Sequence, residues 1–161
     1  MPIDTAKVTG FRMLRFNSPM EMHADIARLV EADQARRLRQ LGNWTLGQNL
    51  GHLAAWASYP FEGYPISPPF FIRWIMKGRK RKYLQEGLPR GVRIPRVEGG
   101  TLAVEVLSTD EGFNRINAAW ARLEKNCPMV PNPIFGPLTH EEWIQMHLRH
   151  AELHLSFLKV E

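Results

Sequence analysis

The sequence predicts an all-α fold, a four-helix bundle with a long, partly irregular crossover between its second and third helices, in a single domain over residues 1–161. Three observations predict it. Four segments carry helix-start chemistry followed by apolar residues at helical spacing. No convincing alternating strand pattern competes with them. Residues 64–100, rich in Pro and Gly, separate the first pair of helices from the second. At 161 residues, 44% apolar and 23% charged, the chain is long enough for one core and ordinary for a soluble globular domain.

The first helix opens at "NSPMEMHADIARLVEADQARRLRQ". Ser18 is its N-cap, Pro19 suits the first helical position and Glu21 stands at capping-box spacing. Met22, Ile26, Leu29 and Val30 form its apolar stripe, and Gly42 is read as its stop. The second helix opens at "NWTLGQNLGHLAAWASYPFEG", capped by Thr45 and ended by Pro60. Gln48, His52, Ala55 and Tyr59 share one of its faces. Gly47 and Gly51 weaken it by about 1 kcal/mol each, so a close backbone approach by a neighbour is expected in compensation.

Between Tyr64 and Gly100, "YPISPPF" cannot be a regular helix, "FFIRWIMKGRKRKYL" allows a short one, and "LPRGVRIPRVEGG" reads as extended loop. So long an irregular connection implies a use. "TLAVEVL" is the single candidate for a short strand. The third helix, "STDEGFNRINAAWARLEKN", is capped by Ser108 or Thr109, with Phe113, Ile116, Trp120 and Leu123 inward. The fourth opens on Thr139 with Glu142 three residues on, a capping box, and is expected to run to about Lys159.

The net charge of +5 is concentrated. Residues Arg73–Arg96 hold nine Lys and Arg against one acid, and the remainder of the chain is net acidic. The dense "KGRKRK" cluster, with Phe71, Trp74 and Tyr83 as stacking surfaces, raises contact with nucleic acid or another anionic partner. A solvated loop over a site mouth is the weightier reading, and the cluster also suits attraction of an acidic substrate. The lone Cys127 excludes an internal disulfide framework and a multi-cysteine zinc site, in keeping with a reducing cytoplasm. The N-terminus shows no signal-peptide h-region and no stretch is long enough to span a bilayer, so no membrane partner is expected.

Half of the six histidines crowd into "HLRHAELHLSF". At about 100° per residue, His147, His150 and His154 fall with Trp143 and Phe157 inside about a quarter of the helix circumference. The tryptophan and phenylalanine want the core, so the histidines face it as well. Glu141, Gln145, Arg149, Glu152 and Lys159 make the opposite, solvated face. Three inward imidazoles need many partners, and would repel one another if protonated. A metal ion answers both demands. His150 and His154 have the HxxxH spacing that lets adjacent turns reach one ion, and His52, mid-helix among apolar residues, is the best third ligand. His147 is open between a fourth ligand, a donor behind the ligands and a substrate-facing base, with a site-lining role favoured. His140 is exposed or capping, and His23 is a surface residue. Glu142 is a capping partner and not a general base. Cys127 has no neighbouring histidine to make it a nucleophile. Trp44, Trp56 and Trp120 are read as packing.

"NWTLGQNLGHLAAW" and, far downstream, "FGPLTHEEWIQMHLRHAELHLSF" resemble the DinB-like superfamily, and more closely its bacterial branch labelled a domain of unknown function. The resemblance covers roughly residues 11–159 and is weak over 65–100. It implies a four-helix bundle with a long crossover. It also implies a divalent metal, zinc or nickel, held by a histidine of the second helix and an HxxxH pair of the fourth; here these are His52, His150 and His154. Similar sequences often carry a further histidine where this chain has Leu153, and another where it has Asn132. Some members are transferases or isomerases using low-molecular-weight thiols, and others are described as hydrolases. The expectation is therefore a metal-dependent hydrolase or thiol S-transferase with a small-molecule substrate, in which His147 is the acid/base or substrate contact. Related bundles are often homodimers. The alternative is a non-catalytic binding module in which His52, His147, His150 and His154 close a structural metal site and the basic segment 73–96 contacts nucleic acid or another anionic partner.

Overall fold

The computed structural model describes residues 3–67, 69–94, 97 and 100–161. It is mostly helical, with five helices and a small two-stranded sheet: α1 (Pro19–Gln34), β1 (Leu38–Gln40), α2 (Leu46–Glu62), α3 (Phe70–Glu86), α4 (Thr109–Lys125), α5 (His140–Leu155) and β2 (Leu158–Val160). The core is drawn from Met22, Ile26 and Leu29 of α1, Leu46 and Leu50 of α2, Ile116, Trp120 and Leu123 of α4, and Trp143 and Leu155 of α5. Among the described side chains of α3, only Leu84 is buried.

The expected caps form. Ser18, Thr45, Ser108 and Thr139 each accept a backbone N–H from three residues on. Thr45 with Gln48 and Thr139 with Glu142 make reciprocal capping boxes. Glu21 reaches one residue further back than its spacing suggests, and accepts the Asn17 N–H at 2.8 Å. In α4, Asp110 and Glu111 stand at the positive end and Arg122 and Lys125 at the negative end.

The stops differ from the sequence reading. α1 ends at Gln34 and not near Gly42. Arg36 adopts φ 55°, its N–H bonds to Asp33 O, and Arg37 N–H bonds to Ala32 O. This is a Schellman closure with arginine where glycine is usual, which is why no stop signal is legible there. The chain then turns into β1, which pairs antiparallel with β2, Leu38 opposite Val160 and Gln40 opposite Leu158. Lys159 therefore belongs to a strand, and α5 ends at Leu155. Strands of three residues are too short to display alternation. α2 continues through Pro60 to Glu62 and stops at Gly63, φ 103°. Pro60 sits in the last turn, where little helix remains to be broken. α3 is a full 17-residue helix. The "TLAVEVL" stretch forms no strand, since Ala103 at φ 57° interrupts its extension.

Two of the residues assigned to the solvated face of α5 are buried. Arg149 and Glu152 pair at 2.8 Å beneath the N-terminal segment. There Glu152 accepts the Phe16 N–H at 2.6 Å and Arg149 donates to Phe16 O. The segment's backbone supplies the partners that buried charges require.

Gly47 and Gly51 receive the close neighbour their cost implied. A Cβ on Gly47 would lie 2.2 Å from Leu107 O and 2.7 Å from Ser108 O. One on Gly51 would lie 2.4 Å from Leu107 Cδ1, and one on Gly112 would lie 2.8 Å from Gly47 O. Gly47→Ala is expected to lower stability by about 2 kcal/mol, since the clash is with backbone that cannot move cheaply and outweighs the gain in helix propensity. Arg36→Gly is expected to raise stability by about 1 kcal/mol through relief of the left-handed arginine. Urea melts of both variants check the two signs; a neutral Gly47→Ala or a destabilising Arg36→Gly contradicts the respective reading.

Candidate metal centre

The close contact of α2 with residues 107–108 has a chemical consequence one and two turns along. Residues 101–108 run beside α2 on their way to the α4 cap, and this places Leu102 O 2.8 Å from His52 Nδ1. A carbonyl only accepts, so Nδ1 carries the proton and Nε2 keeps its lone pair. His52 Nε2 points away from that bond and lies 3.2 Å from His150 Nε2. His154, one turn further along α5, closes the group, its ring centroid 4.5 Å from that of His52 and 4.7 Å from that of His150.

One nitrogen from each of His52, His150 and His154 lies within 4.8 Å of the others. Two nitrogens bound tetrahedrally at about 2.0–2.1 Å would stand about 3.3–3.4 Å apart, and the His52–His150 spacing is close to that. Burial holds all three rings in the neutral form that ligation needs. Desolvation lowers His52 to about 4, with the Leu102 bond opposing. It also holds His150 and His154 well below the usual histidine range, aided by their neighbours' charges. Both residues are half-buried as a whole, although they lie deep enough to be strongly desolvated. The donor set, three neutral imidazoles with one oriented by a carbonyl behind it, fits a borderline divalent ion such as zinc or nickel.

Two tryptophans read as packing stand at this group. Trp44 stacks on His154 with ring centroids 5.2 Å apart and planes parallel to 1°, and lies 5.0 Å from His52. Trp56, one helical turn after His52, lies 6.0 Å from it and 5.6 Å from His150. Tyr59 and Tyr64 continue the wall beyond Trp56. Trp56 Nε1 and the Tyr64 hydroxyl are buried with no hydrogen-bond partner among the described residues. Burial raises the Tyr64 phenol, and Asn132 stands near its hydroxyl without a hydrogen bond of ordinary geometry. The signal for Trp56 was present in the sequence, since residues four apart share a helix face. Trp44, outside any helix, gave none. Trp120 is core, as expected.

His147 lies elsewhere on the inward face of α5. Its ring is 3% exposed, parallel to Trp143 to within 13° and edge-on to Trp120. It is not one of the three grouped nitrogens, and its Nε2 has no partner among the described residues. His140 is half-buried, with Nε2 2.6 Å from Leu123 O, and His23 stands 3.6 Å from Glu124 near the surface. Glu142 is the capping partner expected of it and also binds Lys80 at 2.7 Å, which lowers its pKa. Cys127 is exposed and away from the histidines' contacts. Asn132 is buried and structural, its Oδ1 accepting the N–H groups of Ile134 and Phe135. Leu153 lines a groove with Phe11 and Arg12, on another side of α5.

Burial alone drops His147 to about 3 from its ordinary 6.5. The unfolded chain takes up this proton below 6.5 and the folded chain does not until about 3. The resulting stability is therefore complete above 6.5 and is lost progressively as pH falls through that window. In metal-free protein, the stability difference between wild type and His147→Leu should shift against wild type by roughly 2 kcal/mol over about the first two pH units below the unfolded value. Denaturant melts across this range read it, and a difference independent of pH contradicts a buried neutral ring.

No curated protein and no solved structure matches the chain significantly. A family model described as "Protein of unknown function (DUF1569)" matches residues 9–161, a span that takes in all three grouped histidines and both flanking tryptophans. The chain belongs to the DUF1569 family.

Proposed function

We propose that this chain is a divalent-metal-dependent enzyme, a hydrolase or a low-molecular-weight-thiol-dependent S-transferase, in which His52, His150 and His154 hold the ion. One observation carries the reading: three imidazole nitrogens from two helices within 4.8 Å of one another. The hydrogen bond that His52 Nδ1 donates to Leu102 O fixes His52 in the tautomer that ligation through Nε2 needs. When bound, a divalent ion supplies Lewis acidity there, lowering the pKa of water or a thiol and polarising a carbonyl. The helical arrangement is read as a DinB-like four-helix bundle of α1, α2, α4 and α5, with α3 inside the crossover; contacts of α2 with α4 and α5, and of α1 with α4 and α5, support this.

The chain's own residues divide the remaining work. Trp44 and Trp56 shield the ligands from bulk water on two sides, which strengthens every interaction inside. The unpartnered Trp56 Nε1 and Tyr64 hydroxyl are donors suited to an oxygen of a bound small molecule. His147, enclosed between two tryptophans, supports α5 beneath His150 and neither ligates nor relays protons. An enzyme is favoured over a structural zinc site because structural sites close with four protein ligands. Among the described residues the group numbers three.

Metal content of the purified protein, measured before and after reloading with zinc or nickel, tests this. One divalent ion per chain is expected. His150→Ala and His154→Ala should each weaken metal affinity by more than the roughly 10–100-fold typical of partners lying behind the ligands, while His147→Gln keeps one ion per chain. Absence of stoichiometric metal after reloading overturns the reading, and loss of the ion in His147→Gln returns it to a closed, four-ligand structural site.

A further inference from the structure

α3 is attached to the rest of the protein mainly by its C-terminal half. Leu84 is buried, Tyr83 meets Phe135 at 5.9 Å, Lys80 binds Glu142 at 2.7 Å, and Arg15 donates to Gln85 O. The N-terminal half is different. Phe70 is 83% exposed, Trp74 80%, Phe71 53% and Ile75 49%. So much aromatic and aliphatic surface on one helical turn is well beyond the scattered apolar residues of an ordinary surface. A cleft of about 420 Å³ separates this turn from the loop beginning at Pro131. The two residues before Pro131, Met129 and Val130, are exposed as well.

The exposed residues of α3 are ordered along the axis, with Arg73 the one cation among the leading apolar groups. Phe70, Trp74, Lys77 and Arg81 fall at i, i+4, i+7 and i+11, one stripe; Phe71, Ile75 and Lys82 make the adjoining one. In both stripes the apolar groups come first and the cations follow. Lys77, Arg81 and Lys82 are exposed, and Glu86 is the only acid in the helix. Trp74 and Arg81 are about 10 Å apart along the axis at about 1.5 Å per residue. That matches the roughly 5–10 Å to which interfacial helices bury apolar side chains below the headgroups.

We propose that α3 docks this protein on an anionic lipid surface, with Phe70, Phe71, Trp74 and Ile75 entering the boundary between headgroups and acyl chains while Lys77, Arg81 and Lys82 meet the lipid phosphates. The charge pattern selects this occupant. A second copy packing this helix face against itself would offer these cations no acid besides Glu86, which already stands 3.8 Å from Lys82. A nucleic acid would use the cations and stack on the rings, and would leave Ile75 and Val130 against a polar polymer. An anionic bilayer satisfies both halves of the helix. No described helix is long and apolar enough to cross a membrane, and this attachment needs none. The sequence expectation of no membrane partner rested on the lack of a span, which does not bear on a helix lying at the surface.

Co-sedimentation of the full chain with vesicles tests the proposal. It should bind equimolar phosphatidylcholine–phosphatidylglycerol vesicles at low salt, bind them less at high salt, and bind pure phosphatidylcholine poorly. Trp74→Ser and Phe71→Ser should each weaken binding by about tenfold or more. The pair Lys77→Gln with Arg81→Gln should weaken it by roughly tenfold or more on anionic vesicles alone. All these positions are exposed, and unchanged far-ultraviolet circular dichroism confirms that the variants fold. No binding to the anionic vesicles at low salt overturns the proposal, as does full binding by both serine variants. A dimer abolished by Trp74→Ser without vesicle binding assigns the face to a second copy. Salt-dependent binding to DNA or RNA without vesicle binding assigns it to nucleic acid.

Discussion

The rest of the structure depends on the contact between α2 and the chain entering α4. Gly47 on one side and Gly112 on the other bring backbone against backbone at distances a Cβ would not permit, and Gly51 makes room for the Leu107 side chain. Three glycines in two helices cost about 1 kcal/mol each in helix propensity, and the buried interface offsets that cost. The contact also fixes the path of residues 101–108 along α2, so that Leu102 O arrives at His52. A packing requirement thus determines the tautomer of a candidate ligand. It sets α2 at the depth where His52 meets two histidines of α5.

The histidine group is defined by dryness as much as by its donor atoms. Three imidazoles that water would leave partly protonated near their ordinary pKa are driven neutral by burial. In that state their lone pairs face one another at separations that only a shared proton or a cation makes favourable. Trp44 and Trp56 stand directly against the histidines, and Trp56 Nε1 is an unpartnered donor there, with the Tyr64 hydroxyl one ring further out. His147 experiences the same burial without joining the group, because the side chains of Trp143 and Trp120 hold its ring between them.

α3 breaks the pattern of the other helices. α1, α2, α4 and α5 each turn an apolar face to the core, whereas α3, among its described side chains, buries one leucine and turns Phe70, Phe71 and Trp74 outward. Apart from Arg73, its cations follow its exposed apolar groups along the axis and are not set opposite them around it, so helical periodicity gave a weak signal and only a short helix was expected there. Arg96, at the end of the basic segment, lies outside the described residues.

The four side-chain caps, the inward stripes and the inward histidines of α5 were legible because each depends on residues within a turn or two of one another. The HxxxH pair and the separate His52 were legible for the same reason, as chemistry seeking partners. What the sequence could not supply were features set by distant chain. The stop of α1 at a left-handed Arg36, the pairing of Leu38–Gln40 with Leu158–Val160, and the burial of Arg149 and Glu152 under Phe16 all depend on residues over a hundred positions away or on a backbone state that arginine rarely adopts. Local chemistry decided which residues begin helices and which face inward. Only tertiary structure decided which inward residues meet, because burial and close approach are properties of the assembled chain.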